Sequence, residues 1–201
     1  RIDELTKFIE QTMPEGHPYA RIKPSPVPHI PPKLWLLGTS HRSGELAAEK
    51  GMAYSFGHFM TDFDGVEIVH HYQKTYRSLH EGEPEVIVAV HTICAETSEQ
   101  AHELAKSTLA WSLMQEKASD DLRVPSLEEV EAIDWTDEEI EKMERKKAKM
   151  IIGDADEVAD QLERLAYDYD ATELMIVTIT HDPEAKFRSY ELIAKAMSSR
   201  E

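Results

Sequence analysis

The chain has 201 residues and a 41% apolar content, enough for one domain with a buried core and too apolar for a disordered segment. Its formal charge of −17 argues against a nucleic-acid partner, because phosphate contacts need a basic surface; a solvated acidic exterior is expected instead. No apolar run approaches the roughly 20 residues of a membrane helix, and the single cysteine, Cys94, cannot form an internal disulfide, so a cytoplasmic setting is expected.

In chain order, "RIDELTKFIEQTM" puts Ile2, Leu5, Phe8 and Ile9 at helical spacing. An amphipathic helix at the very first residue leads to the expectation that further sequence precedes it. The proline-dense stretch 14–33 can be neither a regular helix nor a central strand and reads as an extended connection. "LWLLG", Leu34 to Gly38, is a short apolar run with an abrupt stop, predicting a strand buried on both faces. "SGELAAEKG" predicts a short helix with Gly51 as its C-cap. Ala53 to His58 predicts a second strand. "DGVEIVHHYQKTYRSL" predicts a helix with Val66, Val69, Tyr72 and Tyr76 on one face. Glu85 to Cys94, dense in β-branched residues, is the clearest strand, followed by a long helix with Ser98 as N-cap.

Residues 115–150 break this rhythm. They are highly charged, with two short helical pieces, each opened by a capping box: Ser126 with Glu129, and Thr136 with Glu139. An insertion is predicted here. "MIIG" is a short apolar stop before an amphipathic helix over 154–170. "TELMIVTIT" predicts a last strand, and Pro183 suits the first turn of a closing helix. Four strands alternating with helices predict a parallel sheet. Four βα units make either a small open sheet or half of an eight-stranded barrel, and the helix at residue 1, as the close of a preceding βα unit, favours the half-barrel.

Ligands of parallel α/β proteins sit where strand C-terminal ends meet the following helices. The first candidate is therefore the turn Gly38-Thr39-Ser40, with Ser43 and Gly44. Glycine admits close backbone approach, a helix N-terminus presents unpaired amides, and the hydroxyls of Thr39, Ser40 and Ser43 add donors, with His41 and Arg42 beside them. The pattern fits a phosphate cradle and equally a serine-capped βα turn. The second candidate is Phe56 with His58 at the end of the next strand, lining a flat ligand or else serving as core and solvated rim. His91, mid-strand, reads as a satisfied core histidine, and Cys94 as a small buried hydrophobe. Ten histidines show no zinc spacing, and no dinucleotide fingerprint, P-loop or nucleophile elbow is present.

Three segments, in order, carry a family resemblance. "LWLLGTSHRSGELAAEKGMAYSFGHF", "PEVIVAVHTICAETSEQAHELA" and "IIGDADEVADQLERLAYDYDATELMIVTITHDPEAKFRSYELIAKAM" resemble the second half of the bacterial luciferase-like flavin monooxygenases, most strongly the luciferase-family oxidoreductases of group 1. The resemblance implies the C-terminal half, four βα units, of a TIM (β/α)8 barrel with a charged helical insertion at about 115–150, as a single domain over 1–201. It implies reduced FMN from a separate flavin reductase as cofactor, or a deazaflavin as in some relatives. The implied reaction is transfer of one oxygen atom from O2 to a small organic substrate. Thr39, Ser40 and Ser43, with Gly38, fall where the family holds the flavin phosphate; Phe56 falls on the strand flanking the ring system, and His58 at the pocket rim. The family's first four βα units, with much of the ring-contact surface, have no counterpart here. The alternative is a catalytically silent flavin-binding or self-associating protein. A half-barrel leaves two sheet edges open, so a homodimer is expected.

Overall fold

The computed structural model describes residues 1–78, 82–117 and 123–200. The elements are α1 (Ile2–Ile9), β1 (Trp35–Gly38), α2 (His41–Glu49), β2 (Ala53–Gly57), a 3-10 turn (His58–Met60), α3 (Val66–Thr75), β3 (Val86–Cys94), α4 (Ser98–Glu116), α5 (Leu127–Glu131), α6 (Asp137–Lys147), β4 (Ile151–Gly153), α7 (Ala155–Tyr169), β5 (Glu173–Val177) and α8 (Pro183–Ser198). All strand pairs are parallel. The alternating α/β reading therefore holds.

The fifth strand corrects the count of four. "MIIG" is not a mere stop. Ile151–Gly153 pairs with Thr92–Cys94 at the far end of β3. Three residues have too little periodicity to announce a strand, and only the partner edge makes them one. Backbone hydrogen bonds show which edge. Tyr54 N–H donates to the Glu85 carbonyl and Ala95 N–H donates to the Gly153 carbonyl, so odd-numbered β3 backbone groups face β2 and β4. Thr172 N–H donates to the Val86 carbonyl and the Thr178 hydroxyl to that of Thr92, so even-numbered groups face β5. β2 and β4 thus take successive halves of one edge of β3, and β5 takes the other.

Boundaries move for local reasons. Ser40 caps α2, and Thr97, not Ser98, caps α4 through its side chain onto Gln100 N–H. Gly51 lies one residue beyond the C-cap Lys50, at φ 57°, in the left-handed region. Both capping boxes of the charged stretch are formed. Part of that stretch, 118–122, lies outside the described residues.

Side chains at alternate strand positions divide the sheet into two faces. Leu36, Tyr54, Phe56, Val86, Val88 and Leu174 pack on Ala47, Ala48, Ile68, Val69, Tyr72 and Tyr169 of α2, α3 and α7. Val90, Cys94 and Ile176 continue this core against Val158, Leu162 and Ile193 of α7 and α8. Cys94 is therefore the small buried hydrophobe expected, its thiol pushed up to about 11 by burial.

The other face is open at its flanks. Leu37 is 62% exposed and Met175 47% exposed. The expectation of a strand buried on both faces thus fails for β1, and β5 is open on the same side. Both are edge strands with helices on one side only, while central β3 is buried almost throughout. Opposite the helices, Ile93 is covered by Ala101, Ala105 and Leu104 of α4 together with Ile152.

One contact fixes the α3 entry. Gly65 precedes α3, and a Cβ there would lie 1.9 Å from Cζ of Phe56, whose ring is fully buried against Tyr169. The Gly65→Ala substitution is expected to destabilise the protein by about 1–3 kcal/mol through overpacking, read as a lower urea midpoint. Adding Phe56→Leu should recover part of that loss, because the ring atoms that clash are removed. Independent, additive losses would show that the contact is not the cause.

Candidate functional site

The C-terminal ends of the strands carry three groupings. The first is the turn from β1 into α2. Ser40 is in extended backbone, and its hydroxyl accepts from Ser43 N–H at 3.2 Å, while Ser40 N–H donates to Ser43 Oγ at 3.1 Å. Ser43 Oγ also donates to the Ser40 carbonyl at 2.7 Å and lies 3.0 Å from the Tyr54 hydroxyl, which reaches back to the Gly38 carbonyl at 3.1 Å. A Cβ at Gly38 would sit 2.4 Å from Ser43 Oγ, so glycine is what lets that hydroxyl tuck under the strand end.

This capping box consumes Ser43 and ties down much of Ser40. Ser43 and Gly44 amides also close onto the Ser40 carbonyl. The remaining first-turn amides, His41 and Arg42, lack intrahelical acceptors by helix geometry. The Thr39 hydroxyl and the Arg42 guanidinium have no hydrogen-bond or ion-pair partner among the described residues. No acidic residue occupies the first turn of α2. Two amides at the positive end of a helix, a hydroxyl and a guanidinium form a donor set that suits an oxyanion such as a phosphate. The turn is thus a capping box that leaves other donors of the same turn unspent.

The second grouping gathers Phe56 and His58, but not as a ligand wall. Phe56 points into the helix-side core, fully buried. It follows the strand's alternation, which sends even-numbered β2 side chains to the helices. Nδ1 of His58 lies 2.9 Å from the Tyr169 hydroxyl, which accepts from Gly65 N–H at 3.1 Å and donates to the Asp64 carboxylate at 3.3 Å. Burial first, then the positive charge of Lys149, holds the His58 imidazole below its ordinary value. This network latches the last turn of α7 to the entry of α3. Gly38, Thr39, Ser40 and Ser43 are brought together; Phe56 and His58 support the strand beside them.

The third grouping centres on a residue read from sequence as core. On its shared edge, β3 pairs with β2 up to Ala89 and with β4 from Thr92, leaving positions 90 and 91 unmatched there. His91 sits at this gap on the face away from the helices. Its ring stacks on Phe59 at 4.5 Å and 9°. A cleft of about 460 Å³ opens beside the pair, between the residues leaving β2 (Phe59 to Asp62), one side of α4 and the residues entering β4. Neither ring nitrogen of His91 has a hydrogen-bond partner among the described residues. Burial, reinforced by the charge of Lys146, pushes the imidazole down to about 4, so it is neutral at pH 7.

Sequence reasoning passed over His91 and Phe59 because their juxtaposition depends on where β2 stops relative to β3. A strand histidine amid smaller apolar neighbours was the available signal.

The depressed value makes a stability statement. A histidine that resists protonation when folded favours the unfolded chain once that chain is protonated. The His91 contribution is therefore intact above the ordinary histidine range and lost as pH falls towards about 4. The His91→Gln substitution should flatten that part of the pH–stability curve; an unchanged curve in urea titrations would show that His91 protonates freely.

The comparisons with known proteins agree with the parallel α/β fold. The profile of the luciferase-like monooxygenase family matches residues 6–172. An uncharacterised Bacillus subtilis (strain 168) protein, YceB, is 36% identical over 196 residues, covering 97% of this chain and 59% of the relative. The crystal structure of apo-MsnO8 superposes with a TM-score of 0.79 at 25% identity, covering 98% of this chain and 58% of that one. The oxygenating constituent of 3,6-diketocamphane monooxygenase from Pseudomonas putida, solved in complex with FMN, shares the fold at 19% identity and a TM-score of 0.57, covering 93% of this chain and 54% of that one. The chain thus spans somewhat under three fifths of the length of these relatives. No helix among the described residues is long and apolar enough to cross a membrane. With its parallel α/β fold and a family match over most of its length, the chain belongs to the luciferase-like monooxygenase family.

Proposed function

We propose that this chain contributes the phosphate-holding part of a flavin site in an FMN-dependent monooxygenase, with Gly38, Thr39, Ser40 and Ser43 at the phosphate end. The observation that carries the reading is the unspent donor set at the start of α2. The His41 and Arg42 amides, the Thr39 hydroxyl and the Arg42 guanidinium point to an oxyanion at the ligand-binding end of a parallel sheet. Gly38 and Ser43 shape the turn, and Ser40 sets the helix entry. Phe56 and His58 act on the site through packing. β1 and β3 are two strand spacings apart, about 10 Å. A ligand anchored at the β1 turn by one end can therefore extend its other end over β2 towards the cleft at His91.

Reduced flavin, when bound, supplies the oxygen-activating chemistry; the residues here bind, orient and exclude water. The open flanks at Leu37 and Met175 and the free edges of β1 and β5 favour completion of the sheet by further βα units, as one part of a closed (β/α)8 barrel. In this reading the 115–150 segment is an insertion on the barrel, the protein works as a homodimer, and a flavin reductase delivers the cofactor. The same uncovered face also accommodates the second reading, a catalytically silent member that binds flavin or a second copy.

Replacing Ser40 with Asp tests the phosphate assignment without losing the cap, since Asp is as good an N-cap as Ser. The Ser40→Asp protein should bind FMN about tenfold or more weakly, through charge repulsion at the cradle, while riboflavin binding is unchanged. Flavin fluorescence titration reads both. Equal FMN affinity in the two proteins would sink the assignment, and preference for a 5-deazaflavin over FMN would select the other cofactor. Oxygen uptake with reduced FMN separates the enzyme from the silent member.

A further inference from the structure

The cleft at His91 has no role in holding a phosphate at the β1 turn, yet it is the part of the strand-end surface with the most unmet chemistry. Its volume, about 460 Å³, falls within the range of small-molecule sites. It exists because β2 stops at Ala89 and β4 begins at Thr92 on the same edge of β3, leaving two positions unpaired between them. Its walls combine Phe59, Met60, Leu109, Trp111 and Met150, an apolar and aromatic lining.

Polar groups also line this cleft. The neutral imidazole of His91 carries one donor and one acceptor nitrogen, neither engaged among the described residues. A half-buried polar group without a partner is costly, and a ligand can supply that partner. Lys146 is bound to Glu116 at 2.7 Å, so these two charges cancel at the mouth. Lys149, half-buried, also lines the cleft and forms no ion pair among the described residues. Asp62, the other acid of the lining, is exposed, with its charge in water. In a chain of formal charge −17, an uncompensated lysine beside an aromatic cleft marks a local preference for a negative group.

We propose that this cleft binds a small organic acid: its apolar body lies along Phe59, Met60 and Trp111, its acid group meets Lys149, and a hydrogen-bonding atom meets His91. The inference rests on the flavin reading only for its biological role. If flavin occupies the β1 turn, this acid is the substrate class of the same site; binding of the acid does not itself require flavin.

The test uses full-length protein without flavin and two probes of matched shape, 4-phenylbutyrate and its primary amide. Calorimetry measures affinity, and methyl resonances of Met60 and Met150 report occupancy of the cleft. The acid should bind saturably, shift both methyl groups and exceed the amide by about three- to tenfold, the range of a single partly exposed charge contact. Lys149→Met should abolish that preference, whereas Lys149→Arg should keep it and show that the cleft is still formed. Equal binding of acid and amide, a preference that survives Lys149→Met, shifts confined to Met52 at the opposite end of the sheet, or no saturable binding would each overturn the proposal. FMN titration of the same proteins reads the β1 turn separately. Loss of FMN binding with the acid preference intact would count against the flavin reading alone, and the reverse would count against the cleft.

Discussion

The structure depends on one constraint: β3 is nine residues long and every other strand but β1 is measured against it. Its even-numbered side chains, Val86, Val88, Val90 and Cys94, anchor the helix-side core. Its backbone offers two edges, and the odd-numbered edge is longer than β2 can fill. A second, three-residue strand therefore docks on the remainder. The segment from α4 to α6 returns to that remainder, so the charged stretch is not free to lie anywhere. Its end is pinned by Ile151 and Ile152, both buried.

That geometry has a chemical consequence. Where two short strands share one edge, the gap between them exposes whichever side chain the long strand carries at that level. Here it carries a histidine, and the residues leaving β2 lay Phe59 flat on it. Burial, with the charge of Lys146, keeps the imidazole neutral, which suits it to donate and accept at once. The flanks of the same face are uncovered at Leu37 and Met175, so the surface next to the gap is apolar and unpartnered.

The β1 turn solves a different problem. A helix that begins directly after a strand has its first amides to satisfy. The Ser40–Ser43 box satisfies what it can reach, and the Tyr54 hydroxyl locks Ser43 in place from the neighbouring strand. The lock leaves His41 and Arg42 amides facing outward. A turn built to cap a helix therefore also leaves donors for an anion, and the two readings of Gly-Thr-Ser are compatible because they use different groups. Tyr169 plays a similar locking role between α7 and α3, with three partners on one hydroxyl. Its aromatic body and the Phe56 ring fill the space that Gly65 leaves open.

The sequence by itself determined the α/β class, the strand–helix alternation, both capping boxes of the charged stretch and the Gly38–Ser43 turn. Each is encoded locally, by side-chain period, by hydroxyl-to-glutamate spacing or by an abrupt end to an apolar run. The family resemblance was legible for the same reason, since its segments keep their order. The tertiary structure decided the rest. Ile151–Gly153 is a strand only because an edge of β3 lies open to it. Phe56 turned inward because strand alternation, invisible in a short run rich in aromatics and glycine, sends it to the helices. His91 ceased to be an ordinary core histidine because two positions of β3 between β2 and β4 are left unpaired, a register that arises between segments some 90 residues apart in the chain. Period and capping act within a few residues of chain; register and edge sharing are set by where distant segments meet.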